Sequence, residues 1–253
     1  MSGQGAAKGD FLLVDYTLSV LEETGERVIV TTSSERGEEA AGESEPELVI
    51  LGEGRLLQAI EEALSGMKEG EAREIVLEPR DAFGERDPRN VIILPAKELS
   101  SRGVVPRVGV EIEMEGRRGR IIRVGAGRVT VDFNNPYAGK KVKAKLAVRK
   151  VLREDSEKIV ELLRRWFRGL PRERVSVSLQ GNTAEIKVPL AIFAYSNAHI
   201  LLSGFIRDLE KYFSGITVIR LVEEERIGKA EGEAQAAQSQ SEKASSSGGE
   251  ASA

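Results

Sequence analysis

The chain carries one histidine and no cysteine, which removes most ways of building a zinc site, a thiol nucleophile or a Ser-His-Asp triad. The single imidazole, His199, sits among Ala198, Ile200 and Leu201 on a helical stretch, surroundings that suit a structural or partly exposed histidine better than a ligand. Gly52-Glu53-Gly54 lacks the third glycine and the Gly-Lys-Ser/Thr of a phosphate-binding loop. Lys140, Lys141, Lys143 and Lys145, with Arg117, Arg118, Arg120 and Arg123, read most simply as solvated strand faces. None of these groups implies a metal or a cofactor. Tyr16, Phe83, Leu56, Leu57 and Ile60 read one at a time as core residues, so any role beyond packing depends on the elements that hold them.

Those elements alternate strands and short helices. Phe11 to Val20 is a β-branched and aromatic strand, Glu22 to Glu26 a turn, and Arg27 to Thr32 the second arm of a hairpin. The acidic, small-residue stretch from Ser33 to Glu47 reads as a surface loop, and Leu48 to Leu51 as a strand. Leu56, Leu57, Ile60 and Leu64 recur at helical spacing and predict an amphipathic helix near residues 55–64 that lays one face on a sheet. Ala72 to Leu77 is another strand, and Asp81 to Gly84 a tight turn. From Glu85 to Asp132, short strands at Val91–Leu94, Val108–Met114, Arg117–Val124 and Arg128–Phe133 suggest a small all-β unit, with glutamates on one hairpin arm facing arginines on the other. Lys141 to Val148 alternates with period two, as a half-exposed strand does. A helix at Glu154–Arg168, a hairpin around Gly181-Asn182, a helix from about Ser196 to Phe213 and a last strand at Ile216–Val222 make an αββαβ unit. Beyond Arg226 the chain is Ala, Gln, Ser, Glu and Gly, too poor in apolar surface to offset its ordering entropy, and is expected to be disordered.

At 253 residues the chain has room for two or three domains, each with its own core. Nothing approaches the roughly 20 apolar residues of a membrane span. Met1 to Gly9 is small and polar, unlike a secretory signal, so the cytoplasm is the expected location. A net charge of −4 with both signs interspersed argues against a nucleic-acid or anionic-membrane partner.

An ordered series of motifs then gathers the candidate residues. Val14-Asp15-Tyr16-Thr17 lies in the first strand, Glu23-Thr24-Gly25-Glu26 at the turn, and Leu51-Gly52-Glu53-Gly54 leads into Leu56 to Glu61. Gly66-Met67-Lys68-Glu69-Gly70-Glu71 and Pro79-Arg80-Asp81-Ala82-Phe83-Gly84 follow. The series resembles the FKBP-type peptidyl-prolyl cis-trans isomerases. Glu85 to Pro88 and Val131 to Lys140 are similar to the borders of the insert-in-flap domain of SlyD-like members, and the last αββαβ unit to the C-terminal extension of longer archaeal ones. The implied fold is α+β: an antiparallel half-barrel wrapping one helix, a β-rich inserted domain and a C-terminal αββαβ domain. Its implied divisions are an FKBP domain of residues 8–84 and 138–151, an insert of 85–137, a C-terminal domain of 152–225 and a tail of 226–253.

The resemblance implies a pocket walled by Tyr16, Ile29, Leu56, Leu57, Ile60 and Phe83, with Tyr137 at the rim and a backbone N–H at Leu57 for the substrate. Three departures stand out. Ile29-Val30-Thr31-Thr32 occupies the place of the family's Phe-Asp, so Val30 replaces the pocket carboxylate, with no other acid close enough to substitute. Ile60 and Ala144 replace aromatics. The expected function is a peptidyl-prolyl isomerase of reduced activity combined with a chaperone for proline-containing or unfolded chains. The alternatives are a holdase without isomerase activity and a ribosome- or RNA-associated protein. Aromatics at Trp166, Phe167, Tyr195, Phe205, Tyr212 and Phe213 suggest that the C-terminal domain forms a homodimer.

Overall fold

A computed structural model describes residues 5–32 and 45–224; most of the expected loop after Ser33, and the tail after Arg226, lie outside these. In chain order the elements are β1 (Phe11–Glu22), β2 (Gly25–Thr31), β3 (Glu47–Ile50), α1 (Gln58–Leu64), β4 (Ala72–Leu77), β5 (Val91–Pro95), α2 (Ala96–Ser101), β6 (Glu111–Met114), β7 (Arg117–Gly125), β8 (Arg128–Asp132), β9 (Val142–Leu152), α3 (Asp155–Trp166), β10 (Ser176–Gln180), β11 (Thr183–Val188), α4 (Ala198–Tyr212) and β12 (Val218–Glu223). This is the mixed α+β class, and the chain divides between Lys158 and Ile159 into two compact units. No helix among the described residues is long and apolar enough to cross a membrane.

The first unit holds two separate sheets. One runs β2-β1-β9-β4, with β3 also on β1, and every pairing in it is antiparallel. Strand alternation turns Leu12, Val14, Tyr16, Leu18 and Val20 of β1, and Val142, Ala144, Leu146 and Val148 of β9, to the face that buries Ile60 and Leu64 of α1 together with Met67. The helix begins at Gln58, later than the spacing of its leucines predicts. The Glu61 carboxylate takes the N–H groups of Gly52 at 2.9 Å and Leu56 at 3.4 Å, holding the preceding residues in a loop.

The second sheet, β5-β8-β7-β6, has its own core of Leu99, Ile112, Ile121, Val129 and Val131. The all-β expectation for this stretch is corrected by α2, whose Leu99 is buried against that sheet. Ala-Lys-Glu-Leu-Ser-Ser contains good helix formers, but six residues are too few to show an apolar period. Register sets Glu111 opposite Arg120 and Glu113 opposite Arg118, as the charge pattern suggested.

In the second unit β11 pairs antiparallel with β10 and parallel with β12. Trp166 and Phe167 both make contacts within the second unit. Phe167 is fully buried and meets Tyr195 edge-on at 5.3 Å, while Trp166 Nε1 donates to Asp208 at 2.7 Å and its ring lies over Gly204. A β-carbon at Gly204 would stand 2.5 Å from that ring, so only glycine lets α4 come this close.

The second sheet leaves and rejoins the first through a stitched neck. Arg86 grips Asp132 with two nitrogens, at 3.0 and 2.6 Å. Asn134 exchanges bonds with the Asp87 backbone at 2.9 and 3.0 Å, Phe133 N–H reaches Asn90 O at 2.9 Å, and Gly139 N–H reaches Gly84 O at 2.8 Å. Burial by itself would raise the Asp132 carboxyl, but the Asn134 backbone and side-chain amides and the Arg86 guanidinium outweigh it and hold the group below the usual aspartate range. A depressed folded value gives stability that is present above the unfolded value of about 3.9 and is lost as pH falls through the folded one. Asp132→Ala should therefore speed hydrogen exchange at the Phe133 and Asp87 amides about tenfold near neutral pH, equivalent to roughly 1–2 kcal/mol. The difference from wild type should shrink once the pH drops below about 4.

Candidate active site

Where β2 leaves β1 and β3 joins it, the edge of β1 at Tyr16 is closed by Thr32. The Tyr16 N–H donates to Thr32 Oγ1 at 2.8 Å, and the Thr32 N–H donates to Tyr16 O at 2.9 Å. Tyr16 points inward and is 7% exposed. Beside it the β1–β2 register shifts, Leu18 pairing with Val30 and Ser19 with Val28, so Ile29 is the extra residue of a bulge. Ile29 packs on the core, whereas Val30, opposite the inward Leu18, stands at the rim and is 39% exposed.

The facing wall comes from the loop and first turn of α1. Leu56 and Leu57 are partly buried on the same core, and Ile60 is fully buried. Leu57 is the residue before the first helical turn, so its N–H has no intrahelical acceptor. Glu61 sets the path of this loop through its bonds to Gly52 and Leu56. Phe83 follows the single 3-10 turn Pro79–Asp81 and is fixed by the Gly84 N–H bond to Pro79 O at 2.7 Å. Its ring lies 5.2 Å from that of Tyr137, and the Arg27 guanidinium sits 5.7 Å over the Tyr137 ring. These contacts bridge the two ends of the neck.

Tyr16, Ile29, Leu56, Leu57, Ile60, Phe83, Tyr137 and Ala144 thus belong to one apolar cluster, with Val30 on its rim. Ala144 lies deep in the sheet between Leu18 and Ile75. His199 is exposed in the first turn of α4, and no group of three metal-ligating side chains occurs among the described residues.

The sequence reading missed two acids. Glu61 shapes the loop wall, and Glu47 Oε2 accepts the Tyr16 hydroxyl proton at 2.6 Å. This second acid comes from β3, a separate strand, and not from the hairpin that carries Val30. On the opposite face of the same sheet a concavity of about 440 Å³ is lined by charged groups including Asp15, Glu74, Lys145 and Arg149. It shares little with the apolar cluster.

Fold and site together define an antiparallel half-barrel wrapped on α1, with the expected wall residues in its apolar cluster. Comparison with known proteins agrees. Residues 3–100 match the model of FKBP-type peptidyl-prolyl cis-trans isomerases, residues 92–137 that of the FKBP26 IF domain, and residues 155–225 that of the FKBP26 C-terminal region. A short-type peptidyl-prolyl cis-trans isomerase of Methanocaldococcus jannaschii is 36% identical over 155 residues, which are 59% of this chain and 96% of that protein. The FKBP-type 16 kDa peptidyl-prolyl cis-trans isomerase of Escherichia coli is 32% identical over 110 residues, 42% of this chain and 73% of that one. The chain belongs to the FKBP-type peptidyl-prolyl cis-trans isomerase family.

If Glu61 holds the loop, Glu61→Ala should cost about 1 kcal/mol in stability and expose the Gly52 amide to faster hydrogen exchange. Glu62→Ala, one residue along the helix, should leave that amide unchanged.

Proposed function

We propose that this protein rotates Xaa-Pro bonds in the cleft between Tyr16 and Phe83, and that its insert holds unfolded client segments, so that it works as an isomerase and a folding chaperone. The carrying observation is the single apolar cluster that gathers Tyr16, Ile29, Leu56, Leu57, Ile60 and Phe83, in a chain of this family. Amide resonance sets a barrier of about 18–20 kcal/mol, and the twisted transition state has lost that resonance and much of its charge separation. An apolar wall favours the less polar twisted state over the planar one, and differential stabilisation of this kind is what accelerates a reaction. The Leu57 N–H, which has no intrahelical acceptor, is the donor proposed to orient the flanking chain. Ile60, Ala144 and Val30 offer less aromatic and polar contact than the residues the family carries there, so turnover is reduced but present.

The proposed divisions are 8–84 with 138–151, 85–137, and 152–225, supported by the separate sheets and cores and by the neck. The insert exposes Ile93 on edge strand β5, Val105 and Val108 before β6, and Ile122 and Val124 on β7. An edge strand with exposed apolar side chains can pair with an extended client. An RNA-binding reading gains no support, since Lys140, Lys141 and Lys143 are each paired with a glutamate on a neighbouring element, Lys143 with both Glu74 and Glu26.

A second proposal concerns association. Phe167, Phe205 and Phe213 are spent in the core of the second unit, but Leu190, Phe193 and Ile200 are about half exposed there. Exposed apolar side chains of this kind suit a homodimer interface.

In a protease-coupled assay the protein should accelerate isomerisation of a short proline peptide, and Phe83→Ala should lower kcat/KM about tenfold, the order of 1.4 kcal/mol. Removing 88–132 behind a short loop, which keeps Tyr137 beside Phe83, should spare that activity and abolish suppression of aggregation of an unfolded client. No acceleration with client suppression intact would identify a holdase instead. Light scattering should show a dimer that Phe193→Asp dissociates, and a monomer at high concentration would end the homodimer reading.

A further inference from the structure

The hydrogen bond between Tyr16 and Glu47 joins residues 31 apart in the chain, and register explains how they meet. Glu47 pairs with Val14, whose side chain is inward, and so lies on the same face as Tyr16, the next inward residue of β1. From the other side of Tyr16, Val30 shares that face through its pairing with Leu18, but an isopropyl group accepts no hydrogen bond. A largely buried phenol left without an acceptor would carry a desolvation cost. The carboxylate of Glu47 meets that need, and its other oxygen lies 4.0 Å from the Arg55 guanidinium, beside Leu56 and Leu57. One acid therefore ties the Tyr16 wall of the cleft to the loop that forms the opposite wall.

We infer that Glu47 is a positioning residue for isomerisation, filling from β3 the acceptor place that Val30 leaves empty on β2. It acts through Tyr16, fixing the ring and committing the hydroxyl proton, and does not touch the substrate. The inference rests on the isomerase reading above for its catalytic consequence, while the brace itself is a separate, structural claim.

The full chain should be assayed as wild type, Glu47→Ala, Glu47→Gln, Tyr16→Phe and the double variant Glu47→Ala/Tyr16→Phe, at a temperature where circular dichroism shows each to be folded. Glu47→Ala should lower kcat/KM roughly fivefold, Tyr16→Phe by a similar factor, and the double variant by no more than either, since both remove one interaction. Glu47→Gln, whose amide oxygen still accepts, should keep most of the activity. Val30→Asp should raise Glu47→Ala toward wild type by a clearly larger factor than it changes the wild-type chain, where the acceptor is already supplied. A loss of stability alone would not give this pattern of rescue. Multiplying losses in the double variant, or Val30→Asp raising wild-type activity as much as it rescues Glu47→Ala, would overturn the inference. If the wild-type chain accelerates nothing, the isomerase reading is what fails, and the brace is then judged from urea unfolding of the same variants. Independent effects of Glu47→Ala and Tyr16→Phe there would overturn it, and non-additive ones would uphold it. Should Glu47→Ala fail to fold, Glu47→Val, which suits a strand and accepts no hydrogen bond, provides the same comparison with Tyr16→Phe.

Discussion

The first unit depends on the antiparallel ladder between β1 and β9. Ten pairs, from Phe11 with Leu152 to Val20 with Val142, bring together stretches of chain more than 120 residues apart. Closing so long a loop costs entropy that grows only slowly with its length, so an insertion between the two strands is tolerated if its ends meet. Once β1 and β9 are paired, their inward residues cover α1, β4 finds its place on the free edge of β9, and β2 and β3 share the remaining edge of β1. Tyr16 lies where those last two strands fail to meet.

The neck follows from the same ladder. Since β4 and β9 are adjacent, Leu77 opposite Val142, the chain that leaves after β4 must return beside its exit. Arg86, Asp87, Asp132 and Asn134 satisfy the polar backbone at that crossing, and Phe83 with Tyr137 seals it with apolar surface. The sheet beyond can then bury its own five-residue core without drawing on the first. The two sheets thus keep separate cores and are joined through this neck.

Most of the charge in this unit is engaged in local pairs. Lys143 bridges Glu26 on β2 and Glu74 on β4, and these carboxylates hold its ammonium above the usual lysine range. Such exposed pairs contribute little individually to stability. Their main effect is to keep the sheet's outer face hydrated and self-neutralised, while the inner face is left apolar. The Tyr16–Glu47 bond is the exception, a polar link reaching in from the cleft's margin.

Much of this architecture was legible in the sequence because it is written locally. Period-two alternation marked Ala72–Leu77 and the strand after Lys141, glycine turns divided the insert, and the ordered motifs from Val14 to Gly84 carried the family and the apolar character of the cleft. The misses share a physical origin. Whether Trp166 faces a partner or its own Asp208 depends on how closely α4 approaches over Gly204. The late start of α1 depends on a carboxylate reaching back nine residues to Gly52. That Glu47, rather than a residue near Val30, accepts the hydrogen bond of the Tyr16 hydroxyl depends on the register of β3 against β1, where a slip of one residue would turn the acid to the other face. Sequence by itself settled which segments are strands and helices and which apolar residues can gather, since those follow from side-chain type and spacing. Only the tertiary structure decided which polar group meets the Tyr16 hydroxyl, because a hydrogen bond between distant strands exists only once their pairing has brought donor and acceptor within reach.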